Sequence, residues 1–357
     1  SKYGSNTSSV LKSDPWKPSV EGVLPFSVCD SIAVKLGKDL NSDQRLMACI
    51  LKVCSDTNSG HCYLKSGDIY SKVEKSFPHL DKKRFAICLK DLHSLGSICI
   101  DKGVNTFSKG KVTAIYSKKS FTHESESARL LGERSIRPIT YEELSQFSQI
   151  SPSVESFIDK NLPDEDTFDN IADGFNFTDG KKELAKELAK EVVDSWSSTA
   201  KITLSDLQKE GVINGLISPI SIITGLPGTG KTTSLRALVS IYKQIGLDPT
   251  LLAPTGIAAK RLESITGSKA YTVHKAFGSR LDMGGEEEEK ATYEGITQTS
   301  TVKNIFDADN TDWEYCEDNP HPAKVIIVDE SSMLDQSLLH KILTSTSKRC
   351  KLVLGIG

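Results

Sequence analysis

The stretch Gly225-Leu226-Pro227-Gly228-Thr229-Gly230-Lys231-Thr232 follows the apolar run Ile220-Ser221-Ile222-Ile223 and precedes a helical pattern from Leu235 to Ile245. Its spacing, G-x-x-x-x-G-K-[ST], is that of a phosphate-binding loop. In such a loop, backbone N–H groups and the positive end of the following helix face the phosphates of a nucleotide. The strand before the loop and the helix after it therefore predict a nucleotide site rather than a Gly-rich turn without a ligand.

The residues of the predicted loop have separate tasks. Lys231 is expected to reach the β- and γ-phosphate oxygens, and Thr232 is expected to ligate Mg²⁺. The other loop positions predicted to bind the nucleotide are Gly225, Pro227, Gly228, Thr229, Gly230 and Thr233.

A second motif lies about a hundred residues further on, where the apolar run Val325-Ile326-Ile327-Val328 ends in Asp329-Glu330-Ser331-Ser332-Met333. A continuous β-branched run is typical of a strand covered on both faces, and open α/β sheets bind ligands at the carboxyl ends of their strands. We expect Asp329 to hold Mg²⁺ together with Thr232, and Glu330 to activate the water that attacks the γ-phosphate. Alone, these residues could equally form an acidic helix N-terminus.

The charge of the chain is distributed unevenly. Residues 1–140 carry 22 basic and 14 acidic side chains, 141–180 carry 1 and 10, 181–280 carry 14 and 8, and 281–357 carry 7 and 15. The two basic blocks suit a polyanionic partner, although ordinary solubilising charge would look the same. Charge alone does not decide between these interpretations.

The 8 cysteines include no C-x-x-C pair, and three of them fall within apolar helical patterns. This usage favours a reducing compartment, and we expect the cytoplasm. That DNA is present there is implied by the resemblance described below. No apolar run approaches 18 residues, so no membrane partner is expected.

The pattern along the chain predicts four regions. Residues 1–20 are predicted to be a flexible arm, because they are rich in Ser, Lys and Pro. Residues 21–140 have the order helix, strand, two helices and hairpin, which predicts a basic, mainly helical winged-helix-like domain. Its lysines and Arg84 would meet a phosphate backbone, unless it is only a small packing domain. Residues 141–180 are predicted to be an acidic linker.

Residues 181–357 are predicted to form the nucleotide domain. After an amphipathic helix from Lys181 to Trp196, strands are expected near 219–224, 250–253, 325–328 and 351–354, alternating with helices. This order predicts a parallel α/β sheet of the P-loop NTPase, RecA-like type. The sheet is expected to be incomplete, since RecA-like sheets normally continue beyond the point where this sequence stops.

Two further stretches lie between the phosphate motifs, at Leu252-Ala253-Pro254-Thr255-Gly256-Ile257-Ala258-Ala259-Lys260-Arg261-Leu262 and at Tyr271-Thr272-Val273-His274-Lys275-Ala276-Phe277. With Thr203-Leu204-Ser205-Asp206-Leu207-Gln208 upstream and the acidic motif downstream, they resemble the motifs of RecD-type superfamily 1B DNA helicases in order and spacing. Residues 30–137 resemble more weakly the N-terminal region of the longer members of that family.

The resemblance implies an ATP-dependent, 5′→3′ DNA helicase or translocase acting in replication, recombination or repair, with ATP and Mg²⁺ bound. It implies that Gln208 reads the adenine. It also implies that single-stranded DNA, or a junction of single- and double-stranded DNA, is contacted by Thr255, Gly256, Thr272 and His274. For His274, a role in the core is the alternative.

Residues 278–322 correspond by position to the insertion that carries a strand-separating pin in this family. Trp313 and Tyr315 are candidate wedge or stacking residues there, and core packing is the equal alternative. The second RecA-like domain of the family is missing from the sequence, so we expect this chain alone not to unwind DNA. Two other classes compete with the helicase, namely a different P-loop ATPase of the AAA+ type and a nucleotide-switched DNA-binding adaptor.

Overall fold

The computed structural model describes residues 3–55, 62–106, 110–170, 178–226, 228–278 and 313–357. The chain divides into two compact units whose boundary along the sequence lies between Glu126 and Ser127. Each unit has its own hydrophobic core.

The first unit begins with short helices. A 3-10 turn at Gly4–Asn6 leads into α1 (Thr7–Ser13), α2 (Lys17–Val20) and α3 (Phe26–Lys35). Trp16 is 2% exposed and packs with Cys29, Ala33 and Ala48. Its indole N–H donates a hydrogen bond to Asp30 Oδ1 at 3.0 Å.

These helices differ from the flexible arm that we predicted for residues 1–20. That segment is mostly polar but contains the large apolar side chain of Trp16, whose burial offsets the entropy of ordering its neighbours. Asp30, its partner, also accepts two hydrogen bonds from Arg45. The Arg45 guanidinium, followed by the Trp16 indole, holds the pKa of Asp30 below its usual value despite partial burial.

The rest of the first unit has the element order of a winged helix. It comprises α4 (Asp43–Ser55), β1 (Leu64–Lys65), α5 (Ser66–Glu74), α6 (Lys82–Ser94), β2 (Ile98–Thr106) and β3 (Gly110–Ser117). The strands form an antiparallel sheet in the order β1-β3-β2. The winged-helix-like architecture predicted from the sequence is therefore confirmed, and its core is built mainly from α4, α5 and α6.

The basic residues of α6 do not all point to solvent. Lys82, Lys83 and Lys90 are exposed. Arg84 instead donates to Asp43 Oδ1 at 2.6 Å and to Asn41 Oδ1 at 2.9 Å, so it ties α6 to the start of α4. Of the other predicted phosphate contacts, Lys102 is exposed, whereas Lys109 and the side chain of Lys111 lie outside the described residues.

The second unit opens with helices. α7 (Lys118–Ser135) contains the boundary and is followed by α8 (Tyr141–Ser145), a 3-10 turn (Gln146–Ile150), α9 (Pro152–Asn161), α10 (Glu165–Asn170) and α11 (Thr178–Ala200). The described part of residues 141–180 therefore differs from the linker that we predicted. Its sparse apolar side chains are buried in the same core as the sheet, and these are Leu144, Phe147, Val154, Ile158 and Phe168.

The reason for this difference is the spacing of the apolar residues. Ser151 and Thr140 cap the helices that follow them, and Val154 and Ile158 stand four residues apart on one face of α9. A few buried side chains, such as this pair at helical spacing, can hold a segment in place even when its composition is acidic. The net charge over forty residues does not show this spacing of apolar side chains.

A five-stranded parallel sheet forms the centre of the second unit. After α12 (Asp206–Ile217), the chain runs through β4 (Ile220–Thr224), α13 (Lys231–Gln244), β5 (Thr250–Ala253), α14 (Gly256–Thr266), β6 (Ala270–Thr272) and α15 (Val273–Ala276). It continues through β7 (Val325–Val328), a 3-10 turn (Ser331–Met333), α16 (Gln336–Thr344) and β8 (Lys351–Ile356). The strand order is β4-β8-β7-β5-β6.

Four of these strands were predicted, and the sheet is RecA-like as expected. The three-residue strand β6 was missed, because its sequence is too short for alternation to be visible. Strand β8 lies between β4 and β7, hydrogen-bonded to both, although it comes last in the sequence. This crossover places the strand that precedes the phosphate loop and the strand that precedes the acidic pair on either side of β8.

None of the 8 cysteines is in a disulfide. Within the described ranges, no helix is both long enough and apolar enough to cross a membrane.

Candidate nucleotide-binding site

The predicted phosphate loop connects β4 to α13, as the sequence indicated. Gly230 is the residue before α13 and has a left-handed backbone with φ +87°. Residues with a Cβ rarely adopt this conformation, so the position favours glycine, and a Cβ here would also press on the side-chain amide of Gln208. Pro227 lies outside the described residues, while the other predicted loop residues are described.

Lys231, the first residue of α13, points toward the acidic pair. Its Nζ lies 3.0 Å from Asp329 Oδ1 and 3.6 Å from Glu330 Oε1. The side chains of Lys231 and Asp329 are only 10% and 6% exposed to solvent. The structure thus brings together the three residues predicted to be catalytic, from two motifs about a hundred residues apart.

Strand β8 also borders this site, next to the phosphate loop and the acidic pair. A Cβ at Gly355 would lie 3.1 Å from Asp329 Oδ1, so the small residue lets β8 pass close to the carboxylate. Ser331 donates its hydroxyl hydrogen to Gly355 O at 3.0 Å, which ties the acidic motif to β8. The sequence analysis did not single out Gly355 or Ser331, because their partners are distant in the chain.

Glu330 has an unusual backbone. Its φ of 52° and ψ of 38° lie in the left-handed region. A residue other than glycine in this region costs about 1–3 kcal/mol and is held there only by its surroundings. Glu330 directly precedes the 3-10 turn at Ser331–Met333, so this conformation turns the chain sharply after β7.

The site fits a nucleotide phosphate and a divalent cation. Lys231 Nζ and Asp329 Oδ1 are close as an ion pair, but their geometry is not that of a hydrogen bond, and neither atom has a hydrogen-bond partner among the described residues. Buried polar atoms of this kind are normally satisfied. A phosphate oxygen could accept from Lys231, and a Mg²⁺ ion could take Asp329 and the Thr232 hydroxyl as ligands. Mg²⁺ commonly uses one or two protein ligands and completes its shell with phosphates and water.

Gln208, predicted to read the adenine, makes hydrogen bonds on both sides of its amide group. Its Oε1 accepts a hydrogen bond from Ser205 N at 3.0 Å, while Ser205 Oγ accepts from Gln208 N, so the two residues form a capping box at α12. Its Nε2 donates to Thr229 O at 3.1 Å. The side chain therefore joins the start of α12 to the phosphate loop.

The residues expected to contact DNA lie on neighbouring strands. Thr255 follows β5 and caps α14, with its Oγ1 accepting from Ala258 N at 3.3 Å. Thr272 ends β6 and caps α15, with its Oγ1 accepting from Lys275 N at 3.2 Å. Because β5 and β6 are parallel neighbours with Ala253 beside Thr272, both threonines lie at the carboxyl edge of the sheet. His274 follows within α15.

Most of the predicted insertion at 278–322 lies outside the described residues, including Glu286-Glu287-Glu288-Glu289. Trp313 and Tyr315 are described, and both pack against the core that contains Phe277 and Ile342. Of the two interpretations that the sequence left open for this pair, the structure favours packing. Lys341 Nζ lies 4.9 Å from the centre of the Trp313 ring, and burial lowers the pKa of Lys341.

Comparisons with known proteins agree with both units. The AAA domain profile matches residues 208–357, and the profile of the ATP-dependent RecD2 DNA helicase HHH domain matches residues 1–63. The RecBCD enzyme subunit RecD of Haemophilus influenzae is 34% identical over 157 residues, which is 42% of this chain and 23% of that protein. The ATP-dependent RecD2 DNA helicase of Deinococcus radiodurans is 47% identical over 57 residues, 16% of this chain and 8% of that protein.

Over these segments the chain is similar to RecD-type helicases. A RecD subunit from Mycolicibacterium smegmatis is also similar, at 28% identity over 158 residues, 38% of this chain and 24% of that protein. The matched segments span about a quarter or less of the length of these relatives. These matches agree with the family resemblance that the sequence motifs indicated.

Proposed function

We propose that this RecD-like chain is the ATP-binding part of an ATP-driven DNA helicase or translocase that moves 5′→3′ on single-stranded DNA. The observation that carries the proposal is the meeting of Lys231, Asp329 and Glu330 at one edge of the sheet. In the proposed reaction, Lys231 neutralises charge on the β- and γ-phosphates, Asp329 and Thr232 hold Mg²⁺, and Glu330 accepts a proton from the attacking water. Bound Mg²⁺ supplies charge neutralisation for the phosphates.

The strand order supports a link between nucleotide and DNA. Asp329 follows β7, while the threonines expected to contact DNA follow β5 and β6, and β5 lies between β6 and β7. Asp329 N also donates to Leu252 O of β5 at 3.0 Å. A change at the nucleotide therefore has a direct backbone route to the strand that ends near Thr255, which suits a motor in which ATP and DNA binding depend on each other.

We further propose that the winged-helix-like part of the first unit contacts DNA phosphates through Lys82, Lys83 and Lys90 on α6, in a reducing compartment that contains DNA. Such contacts position a protein on DNA without selecting a sequence. Binding through them is expected to weaken steeply as salt is raised.

The experiment that tests the enzymatic proposal replaces Lys231 with alanine in the intact protein. ATP turnover at saturating single-stranded DNA should fall by at least about a hundredfold, the scale of losing one charged group from a phosphate clamp. Lys243→Ala is the matched control, because Lys243 lies near the end of the same helix in a surface pair with Asp248. Turnover of the Lys231 variant within about threefold of the control would contradict the proposal.

The same measurement separates the alternatives. An AAA+-type ATPase without a DNA role would hydrolyse ATP at a rate that DNA leaves unchanged. An adaptor switched by nucleotide would bind ATP and DNA but show no steady turnover. Turnover that rises with added single-stranded DNA supports the motor over both.

A further inference from the structure

Trp313 forms a stack with His274. The centroids of the two rings are 5.5 Å apart and the ring planes are tilted by 24°. This is an offset-stacked geometry of the kind that aromatic pairs prefer. The amino group of Lys341 lies over the Trp313 ring as well. The indole thus already has contacts with two neighbouring side chains, which argues against its serving as a bare platform for a DNA base.

The backbone after Trp313 is anchored at several points. Tyr315 N donates to Phe277 O at 3.4 Å, and the Ser345 hydroxyl donates to Tyr315 O at 3.2 Å. His321 N donates to Ser345 O at 2.7 Å, and the His321 ring packs on Phe277 and Tyr315. The segment Trp313–His321 is therefore fixed between α15 and the end of α16, and this fixes the place of the indole.

His274 depends on such a neighbour for its orientation. It lies in α15, a helix of four residues that has no further turn on which its ring could pack. Across the described ranges, its imidazole makes no hydrogen bond. The stack contacts one face of the ring, and His274 as a whole is partly exposed. Its two ring nitrogen atoms are the groups that could bond to a ligand.

We propose that Trp313 is a positioning residue of the DNA site, which holds the His274 imidazole in the orientation that contacts the strand. The inference rests on the proposed function and on the DNA contact that the family resemblance implies for His274. Trp313 acts through His274 and does not itself contact DNA. Tyr315, two residues on, packs on Phe277 and His321 instead, so it anchors the same segment without contributing to the stack.

The test compares Trp313→Ala, Trp313→Phe and Tyr315→Leu in the intact protein. Binding of fluorescent oligo(dT) is measured by anisotropy, and ATP binding and thermal melting are measured beside it. Trp313→Ala should raise the Kd for DNA about twofold to tenfold, the range that loss of one aromatic pair would give. Trp313→Phe should restore most of the affinity, and neither variant should change the Kd for ATP. Tyr315→Leu should lower the melting temperature with a smaller effect on DNA binding.

A double variant and a spectrum make the test specific. If Trp313 acts through His274, then Trp313→Ala should add little to the effect of His274→Ala, because the two changes remove one interaction. The NMR signals of the His274 ring, assigned by their loss in His274→Ala, should shift in Trp313→Ala because the indole ring current is gone. Additive effects, or unshifted His274 signals, would overturn the inference.

Failure of the inference can be told from failure of the proposed function. If His274→Ala weakens DNA binding and Trp313→Ala does not, only the positioning role is wrong. If His274→Ala leaves DNA binding unchanged in a stably folded protein, the DNA role of His274 is wrong and the inference falls with it.

Discussion

At the scale of single residues, the nucleotide site is defined by two carboxylates with different surroundings. Asp329 is buried beside Lys231 and the close backbone of Gly355. Glu330 is more exposed and stands on a left-handed backbone after the strand. We expect these surroundings to divide the work, with Asp329 serving the metal and Glu330 serving the water.

Substituting each carboxylate by its amide tests this division. Glu330→Gln should leave Mg²⁺–ATP binding nearly intact while stopping turnover, because the amide can still bind water but cannot accept its proton. Asp329→Asn should instead raise the Mg²⁺ concentration needed for nucleotide binding. Titrations with a fluorescent nucleotide at several Mg²⁺ concentrations measure both effects. An equal loss of nucleotide affinity in the two variants would show that the roles are not divided.

At the scale of elements, the phosphate loop is supported by the helix that precedes β4. Gln208 contributes to the cap of α12 through its oxygen and to the loop through its nitrogen. The amide oxygen has a second lone pair and the amide nitrogen a second hydrogen, so these bonds leave Gln208 able to contact an adenine as well. In this arrangement Gln208 supports the loop without a nucleotide.

Two variants separate the cap from the support of the loop. Ser205→Ala removes the hydroxyl that accepts from Gln208 N and leaves the Gln208 contact with Thr229 O. Gln208→Ala removes the other half of the capping box, the bond from Ser205 N, together with the contact with Thr229 O. Each should destabilise the unit by about 1 kcal/mol, the usual value of an N-cap. Only Gln208→Ala should also raise the Kd for ATP, as measured by isothermal titration. Equal nucleotide affinities in the two variants would assign Gln208 to the cap alone.

At the scale of the whole second unit, buried charges join the helices of residues 127–170 to the sheet. Arg134 is 1% exposed and donates to Leu343 O at 2.8 Å and Thr346 O at 3.0 Å, next to the end of α16. Its cation is well placed for the negative end of that helix. Arg137 donates two hydrogen bonds to Glu143, whose Oε1 lies 3.7 Å from Lys351 Nζ.

The buried Lys351 predicts a dependence of stability on pH. Burial lowers its pKa to about 8, against an ordinary value of 10.5, although Glu143 partly opposes the shift and Arg137 adds to it. The unfolded chain therefore binds the proton more tightly than the folded unit does. From about pH 8 to 10.5, this group alone makes the free energy of unfolding rise with pH, by roughly 3 kcal/mol in total. Below pH 8 its destabilising effect is fully present.

Lys351→Met is the variant that isolates this effect. Since buried cysteines and tyrosines with raised pKa values act in the opposite direction at high pH, the measured quantity is the difference between wild type and variant in urea unfolding from pH 7 to 10.5. The wild type should gain stability relative to Lys351→Met as the pH rises. A constant difference would mean that the pKa of Lys351 in the folded unit is the ordinary one.

Much of this chain could be predicted from its sequence because the deciding signals are local. The phosphate loop, the acidic pair after a β-branched run and four of the five strands are each encoded within a dozen neighbouring residues. The elements of the winged helix can also be predicted locally, because the spacing of apolar residues within each segment distinguishes a helix from a strand. The matching motif order also pointed to the RecD type before any geometry was known.

Only the tertiary structure decided which distant residues meet. The last strand, β8, lies between β4 and β7 and brings Gly355 to Asp329, while Trp313 reaches His274 from the far end of a long insertion. The acidic segment after residue 140 is ordered because five of its apolar side chains pack in the same core as the sheet, which its composition does not reveal. The physical reason is the same in each case: packing and hydrogen bonding depend on closeness in space, whereas motifs and periodicity report only closeness along the chain.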